Sequence, residues 1–212
     1  MKIGSHNALS YSGLKNWWLY PLYFVGKCQS KTIEEQYEKY GVRLFDIRIN
    51  SRLDDVIESA HGFLRFKKDV EDALAYINGK GNCYVRVLME QNYKKSKQDE
   101  RDAIFIKKCK MLEEKYPNIK FCNGRRKYDW KVLYDFKYSE PNMIELYSSV
   151  TSLFKSESKI LRVLDDWWPW LYARLRNKKN LNKWLCFKEK INAYIVPNKG
   201  ENYILIDYVN IR

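Results

Sequence analysis

The sequence predicts an α/β protein built on a mostly parallel sheet. Short β-like apolar runs alternate along the chain with segments of helical periodicity, and no internal repeat or low-complexity linker divides them. Of the 212 residues, 45% are hydrophobic and 16% aromatic, enough apolar surface for one domain with a sizeable core and too much for a disordered basic tail. The chain opens on a short apolar stretch that meets a loop at His6-Asn7. Thr32-Ile33-Glu34-Glu35 is a capping-box signature and starts a helix that runs to about Tyr40 and stops at Gly41. Val42 to Ile49 alternates apolar and polar residues and reads as a strand. A polar segment follows, then a short strand near Val56–Ala60. Lys67 to Ile77 places Val70, Leu74 and Ile77 on one helical face and ends at Gly79. Cys83–Met89 is strand-like. Asp99–Tyr116 is helical and closed by Pro117, and Ile119–Cys122 is a brief strand. From Gly124 to about Lys159 no pattern dominates. A helix around Leu161–Leu175 and strands at Lys190–Val196 and Tyr203–Val209 complete the expectation.

The chain carries 39 Lys+Arg against 26 Asp+Glu, a net +13. That charge implies an anionic partner: nucleic acid, a membrane surface or a phosphate-bearing substrate. The five cysteines (Cys28, Cys83, Cys109, Cys122, Cys186) are odd in number and form no CxxC pair, as expected in a reducing compartment. The longest apolar run, Trp17 to Val25, contains Pro21 and falls short of the about 20 residues that span a bilayer. No apolar h-region follows the first residues. The expectation is a cytoplasmic protein, with peripheral membrane association open.

Both histidines lie where an apolar run meets a loop: His6 in Gly4-Ser5-His6-Asn7 and His61 in Ser59-Ala60-His61-Gly62. Strand-end loops of a parallel sheet gather substrate groups on one face. Two imidazoles with ordinary pKa values near about 6.5 could serve there as general base and general acid. Between them, Asp46 and Arg48 share one strand face while Phe45 and Ile47 share the other. Two charges on one strand face need a ligand or each other. Arginine's fork suits phosphate oxygens, and a structural ion pair is the alternative.

Gly4-Ser5-His6-Asn7, Gln29, Ile33-Glu34-Glu35-Gln36, Gly41 to Arg48 and Ala60-His61-Gly62 together resemble the X-type catalytic region of phosphatidylinositol-specific phospholipases C. The resemblance covers about Ile3 to Gln91, including the thirteen residues from Arg48 to His61. Near the C-terminus, Ile204 to Asn210 is similar to that family's last barrel strand. The resemblance implies a distorted, incompletely closed (β/α) barrel of the TIM type. It implies His6 as the base that activates the inositol 2-hydroxyl and His61 as the acid that protonates the leaving oxygen. Arg48 would stabilise the phosphoryl charge beside Asp46, and Asp207 would orient His6. The product would be a cyclic inositol phosphodiester, with diacylglycerol released.

Calcium-dependent relatives use an Asn beside the first histidine and several carboxylates. Asn7, Asp46 and Glu90 keep part of that set, but Arg48 stands where those enzymes have another acid, so calcium is disfavoured and no cofactor is expected. Asn7, Arg86, Glu90 and Tyr138 are the candidate substrate-binding residues, with Asp135 a weaker one. Trp17, Trp18 and Tyr20, near Lys15 and Lys27, suit an anionic membrane interface. The segment Trp167-Trp168-Pro169-Trp170 and the basic residues after it could act likewise. Core packing or an oligomer contact is the other reading of these aromatics. The expected partner is therefore a phosphoinositide or another anionic phosphodiester, with nucleic acid disfavoured and the oligomeric state open. The alternatives are a metal-dependent glycerophosphodiester phosphodiesterase-like hydrolase and a non-catalytic phosphoinositide-binding module on the same scaffold.

Overall fold

A computed structural model describes residues 2–51, 56–90, 97–146 and 202–211. Its strands are β1 (Lys2–Ser5), β2 (Val42–Asn50), β3 (Glu58–His61), β4 (Leu64–Asp69), β5 (Cys83–Glu90), β6 (Ile119–Arg126), β7 (Asn142–Leu146) and β8 (Asn202–Ile206). They form one curled, open half-barrel sheet. Its parallel part runs in the order β7-β8-β1-β2-β5-β6. The antiparallel hairpin β3–β4 joins it at Ile49↔Ser59 and Asn50↔Glu58, beyond the end of β1. Since β5 holds the other edge of β2 from Leu44 to Asn50, β1 and β3 share one edge in succession. That sharing brings the ends of β1 and β3, and so both histidines, to the same rim.

Strand periodicity divides the two faces. Phe45, Ile47 and Ile49 on β2, with Val85, Val87 and Met89 on β5, pack outward against the helices. These are α2 (Ile33–Glu38), α3 (Val70–Lys80) and α4 (Gln98–Lys115), which follow a four-residue turn, α1 (Tyr23–Gly26). Fully buried Phe45, Phe105 and Phe121 each contribute on the order of 2–3 kcal/mol. The opposite positions face the barrel interior. Leu44, Tyr203 and Leu205 plug its lower layer, so tightly that a side chain on Gly4 would meet Leu44 and Leu205 at 3.0 Å.

The α2 capping box forms as the sequence predicts, Thr32 and Glu35 bonding reciprocally at 3.2 Å. Other boundaries differ from expectation. Lys67–Asp69, expected in a helix, finishes β4, because Asp69 caps α3 by accepting from the Glu71 N–H at 2.8 Å. β6 runs on to Arg126 through a bulge at which Val87 pairs Asn123 but Leu88 pairs Arg125. The extra residue, Gly124, takes φ +58, and a Cβ there would lie 2.1 Å from the Tyr134 carbonyl oxygen. β7 lies in the stretch without a readable pattern, and β8 stops at Ile206 rather than Val209. The expected helix near 161–175, the strand near 190–196, and the Trp167–Trp170 run lie outside the described residues. No helix among the described residues is long and apolar enough to cross a membrane.

One buried side chain clamps the rim. Gln29 Nε2 donates to the carbonyls of His6 (3.1 Å) and Ile206 (3.0 Å), and its Oε1 accepts from the Val209 N–H at 3.1 Å. Replacing it with Ala removes three buried hydrogen bonds at the junction of β1 and β8. The expected loss in urea unfolding is about 3 kcal/mol; a change under about 0.5 kcal/mol would mean that the clamp bears no load.

Candidate active site

The register between β1 and β8 pairs Ser5 with Ile206, so the next residues, His6 and Asp207, stand side by side past the strand ends. His6 Nδ1 lies 2.6 Å from Asp207 Oδ1. An ionised carboxylate only accepts, so Nδ1 carries the proton and Nε2 keeps its lone pair. Nε2 points toward Asp46 Oδ2 at 3.8 Å, too far for a hydrogen bond. Asp46 Oδ2 instead accepts from Arg48 Nε at 3.0 Å and from the Asn7 N–H at 3.2 Å. Asn7 adopts φ +42 to make that turn, and its own side-chain amide, fully buried, has no hydrogen-bond partner among the described residues.

Arg48 continues the network upward. Its guanidinium donates to Glu90 Oε1 at 3.1 Å, and that carboxylate also takes Lys127 Nζ at 2.7 Å and the Gly62 N–H at 3.2 Å. The contact to Gly62 holds the hairpin turn next to His61. The two imidazoles meet edge to face with centroids 6.1 Å apart. Gly26 approaches His61 so closely that a Cβ would sit 3.3 Å from its Nδ1 and 2.5 Å from a Leu64 methyl. Cys28, buried beside the pair, is fixed by its N–H to Ser10 Oγ (2.9 Å) and by its carbonyl to the Tyr208 N–H (2.8 Å).

Electrostatics follow from burial. His6 is pushed well below the ordinary histidine value by burial first, then by the Arg48 charge, by His61 and by Lys127. His61 is lowered to about 3, again by burial first, then by Arg48 and Lys127, against the opposing pull of Glu90 and Asp46. Burial works to raise Glu90, yet Arg48 and Lys127 together bring it below its usual value. Burial pushes the Cys28 thiol up, so it stays protonated.

The geometry thus gathers His6, His61, Asp46, Arg48, Glu90, Asn7 and Asp207 around one rim. Glu90, expected to contact substrate, has both oxygens taken up by Arg48, Lys127 and Gly62. Arg86 lies one layer lower, aligned with Asp46 across the strands. Its guanidinium meets Glu145 at 2.5 Å and Glu140 at 3.1 Å and lies 5.4 Å from the Trp130 ring, in the wall of a cavity of about 610 Å³. Tyr138 does not line that cavity; it sits half-buried in the β6–β7 loop with the Lys137 ammonium 5.7 Å from its ring. Asp135 is exposed in the same loop. His61 ends a hairpin strand rather than a parallel one, and reaches the rim only because β3 succeeds β1 along β2. Lys127 and Cys28 went unforeseen: the first depends on a bulge that no periodicity announces, the second on a segment without regular spacing. The aromatic run forms a 3-10 turn, Trp17–Leu22, leaving Trp17 77%, Trp18 60% and Tyr20 43% exposed.

No family model matches the sequence, and no curated protein matches it. Among solved structures, the phosphatidylinositol-specific phospholipase C of Listeria monocytogenes aligns with a TM-score of 0.53 and 17% identity, over 98% of this chain and 88% of its own. A structure of the phosphatidylinositol-specific phospholipase C of S. aureus gives 0.48 and 16%, over 98% and 85%. The first likeness places the chain in the same barrel fold and speaks for fold alone.

Depressed histidines make folding pH-dependent in a defined direction. The unfolded chain begins to bind protons as pH falls through about 6.5, whereas folded His61 does so only near 3. The contribution of each imidazole is therefore complete above about pH 6.5 and is lost as pH falls toward the folded value. Between about pH 6.5 and 5, above the carboxylate range, the unfolding free energy is expected to drop by at most about 1.4 kcal/mol per pH unit for each histidine. Solvent at half-buried His61 reduces its share. His61→Gln should flatten that slope in urea titrations; an unchanged slope would contradict a His61 held neutral in the folded chain.

Proposed function

We propose that the chain is a phosphodiesterase of the phosphatidylinositol-phospholipase C type, cleaving by intramolecular attack and without a metal cofactor. The observation that supports this best is the His6–Asp207 pair at 2.6 Å facing a second imidazole 6.1 Å away. At that separation each ring reaches one oxygen of a single phosphoryl group. His6 Nε2 accepts the proton of the inositol 2-hydroxyl, whose oxygen forms the new bond to phosphorus. Asp207 stabilises the imidazolium that results. The bond from phosphorus to the glycerol oxygen breaks, and His61 delivers a proton to that oxygen. The products are a cyclic inositol phosphodiester and diacylglycerol.

In the free protein His61 is neutral, so it must gain a proton to act as the acid. A bound phosphodiester adds a negative charge beside it and raises its proton affinity. Arg48 supplies fixed positive charge to the phosphoryl oxygens, held in place by Asp46 and Glu90. The same bridge argues against calcium. That ion takes six to eight oxygen ligands, and here one oxygen of Asp46 and one of Glu90 already receive a guanidinium lodged between the two carboxylates.

The exposed Trp17, Trp18 and Tyr20 suit contact with a lipid interface, where indole rings settle at headgroup depth. Tyr23 tethers this segment to the site, donating its hydroxyl to the Ser10 carbonyl at 2.9 Å and accepting from the Gly13 N–H at 3.1 Å.

Release of labelled cyclic inositol phosphate from phosphatidylinositol tests the chemistry. His6→Ala and His61→Ala are each expected to lower turnover by roughly 10²–10⁴-fold, with chelator without effect on the wild type. Full activity in either variant, or loss in chelator restored by calcium, would sink the corresponding part. For the membrane contact, Trp17→Ala with Trp18→Ala should weaken sedimentation with anionic vesicles roughly tenfold or more while sparing turnover of a soluble glycerophosphoinositol. Equal losses on both substrates would place these tryptophans in folding instead.

A further inference from the structure

One buried side chain at the rim has no part in the chemistry proposed for it. Cys28 lies directly behind both imidazoles: the Cys28 sulfur and one ring nitrogen from each of His6 and His61 all fall within 4.8 Å of one another. Its backbone is fixed on both sides, by Ser10 and by Tyr208, and its thiol donates weakly to the Gly26 carbonyl at 3.6 Å, a contact that metal binding would release. We propose that His6, Cys28 and His61 form a binding site for a thiophilic divalent cation, Zn²⁺, whose occupancy shuts the catalytic rim. The proposal takes the two imidazoles in the catalytic places assigned above, but the site itself stands on their geometry.

The donor set selects the ion. One sulfur and two imidazole nitrogens are ligands for zinc and copper rather than calcium or magnesium, which take oxygens. With Zn–N near about 2.1 Å and Zn–S near about 2.3 Å, tetrahedral ligand atoms stand roughly 3.5 Å apart. Closing from 4.8 Å needs shifts of about 1 Å or less per side chain. Asp207 already holds His6 Nδ1, the arrangement in which a carboxylate orients a ligating histidine and leaves Nε2 for the metal. Three ligands leave a fourth position open to water or a phosphoryl oxygen.

Local charge permits the ion. The positive groups of the rim are engaged: Arg48 by Asp46 and Glu90, and Lys127 by Glu90. The carboxylates of Asp46, Asp207 and Glu90 outnumber them, and the thiol proton leaves to solvent when the metal binds. Half-buried His61 marks the side from which an ion enters. Once bound, the metal occupies the lone pair that His6 needs as base and the nitrogen that His61 needs as acid.

Zinc alone and cobalt alone serve as probes. Equilibrium dialysis is expected to give one Zn²⁺ per chain, and Co²⁺ should give the near-ultraviolet absorption of a thiolate–cobalt bond. Cys28→Ser should abolish that absorption and weaken Zn²⁺ binding by roughly a hundredfold while leaving turnover intact, and His61→Ala should weaken binding as well. Absence of the cobalt–thiolate band in the wild type, which needs no variant to fold, would overturn the site. So would Zn²⁺ binding that is unchanged in both variants. In the activity arm, Zn²⁺ should inhibit wild-type turnover far more than that of Cys28→Ser; equal inhibition would overturn the shut-off. A wild type that binds Zn²⁺ through Cys28 but turns over no phosphodiester would uphold the metal site and reject the phosphodiesterase.

Discussion

The buried pairing of Asp46 with Arg48, two residues apart on one strand, is the constraint from which the site follows. Both are almost wholly removed from water, and charges so placed are tolerable only when fully engaged. Arg48 therefore reaches across to Glu90 on β5, and Glu90 in turn collects Lys127 and the Gly62 amide. Asp46 takes the Asn7 amide at the turn that follows His6. Each partner comes from a different strand or loop, so satisfying one ion pair draws β1, β2, the β3–β4 turn, β5 and β6 to a common rim. Removing a single member would leave a charge stranded in the interior, a defect on the order of 3–5 kcal/mol in comparable cases.

Much of this was legible in the sequence because it is written in short-range patterns. The alternation from Val42 to Ile49 fixes which residues of β2 face inward, and it separates Asp46 and Arg48 from Phe45 and Ile47 without any knowledge of the sheet. The capping box fixes the start of α2. What could not be read depends on long-range pairing. The hairpin that carries His61 lies antiparallel, and its nearness to His6 arises from two strands sharing an edge of β2. Strand β7 has no alternation to announce it, and it holds Glu145, which meets Arg86 across the interior. The boundary between β4 and α3 misled because Lys67–Asp69 fits the helical phase, while the Asp69 cap ends the strand there.

The segment between the two histidine approaches is also a mechanical link. Ser10 follows the His6 loop, and its Oγ accepts the N–H groups of both Cys28 and Gln29. The exposed tryptophans sit on the excursion that those bonds close, and Tyr23 fastens its middle. A surface bound at Trp17 and Trp18 thus bears on a short, doubly anchored loop whose far end packs Gly26 against His61. On the function proposed above, docking and proton transfer would share one piece of backbone.

The bulge in β6 carries an implication about how such a site tolerates change. Strand side chains alternate, so a strand reads in a frame of two, and Gly124 is a one-residue insertion in that frame. Paired in register, Gly124 would leave Arg126 aligned with Glu90; looped out as a bulge, it lets Lys127 align there, and Arg126 turns outward to Asp102 on α4. Substitutions exchange letters within the frame, whereas a gained or lost residue swaps one whole face for the other. Looping out that one glycine has thus decided which cation faces the rim, and a residue added to β2 without such a bulge would turn Phe45 and Ile47 inward in place of the charges.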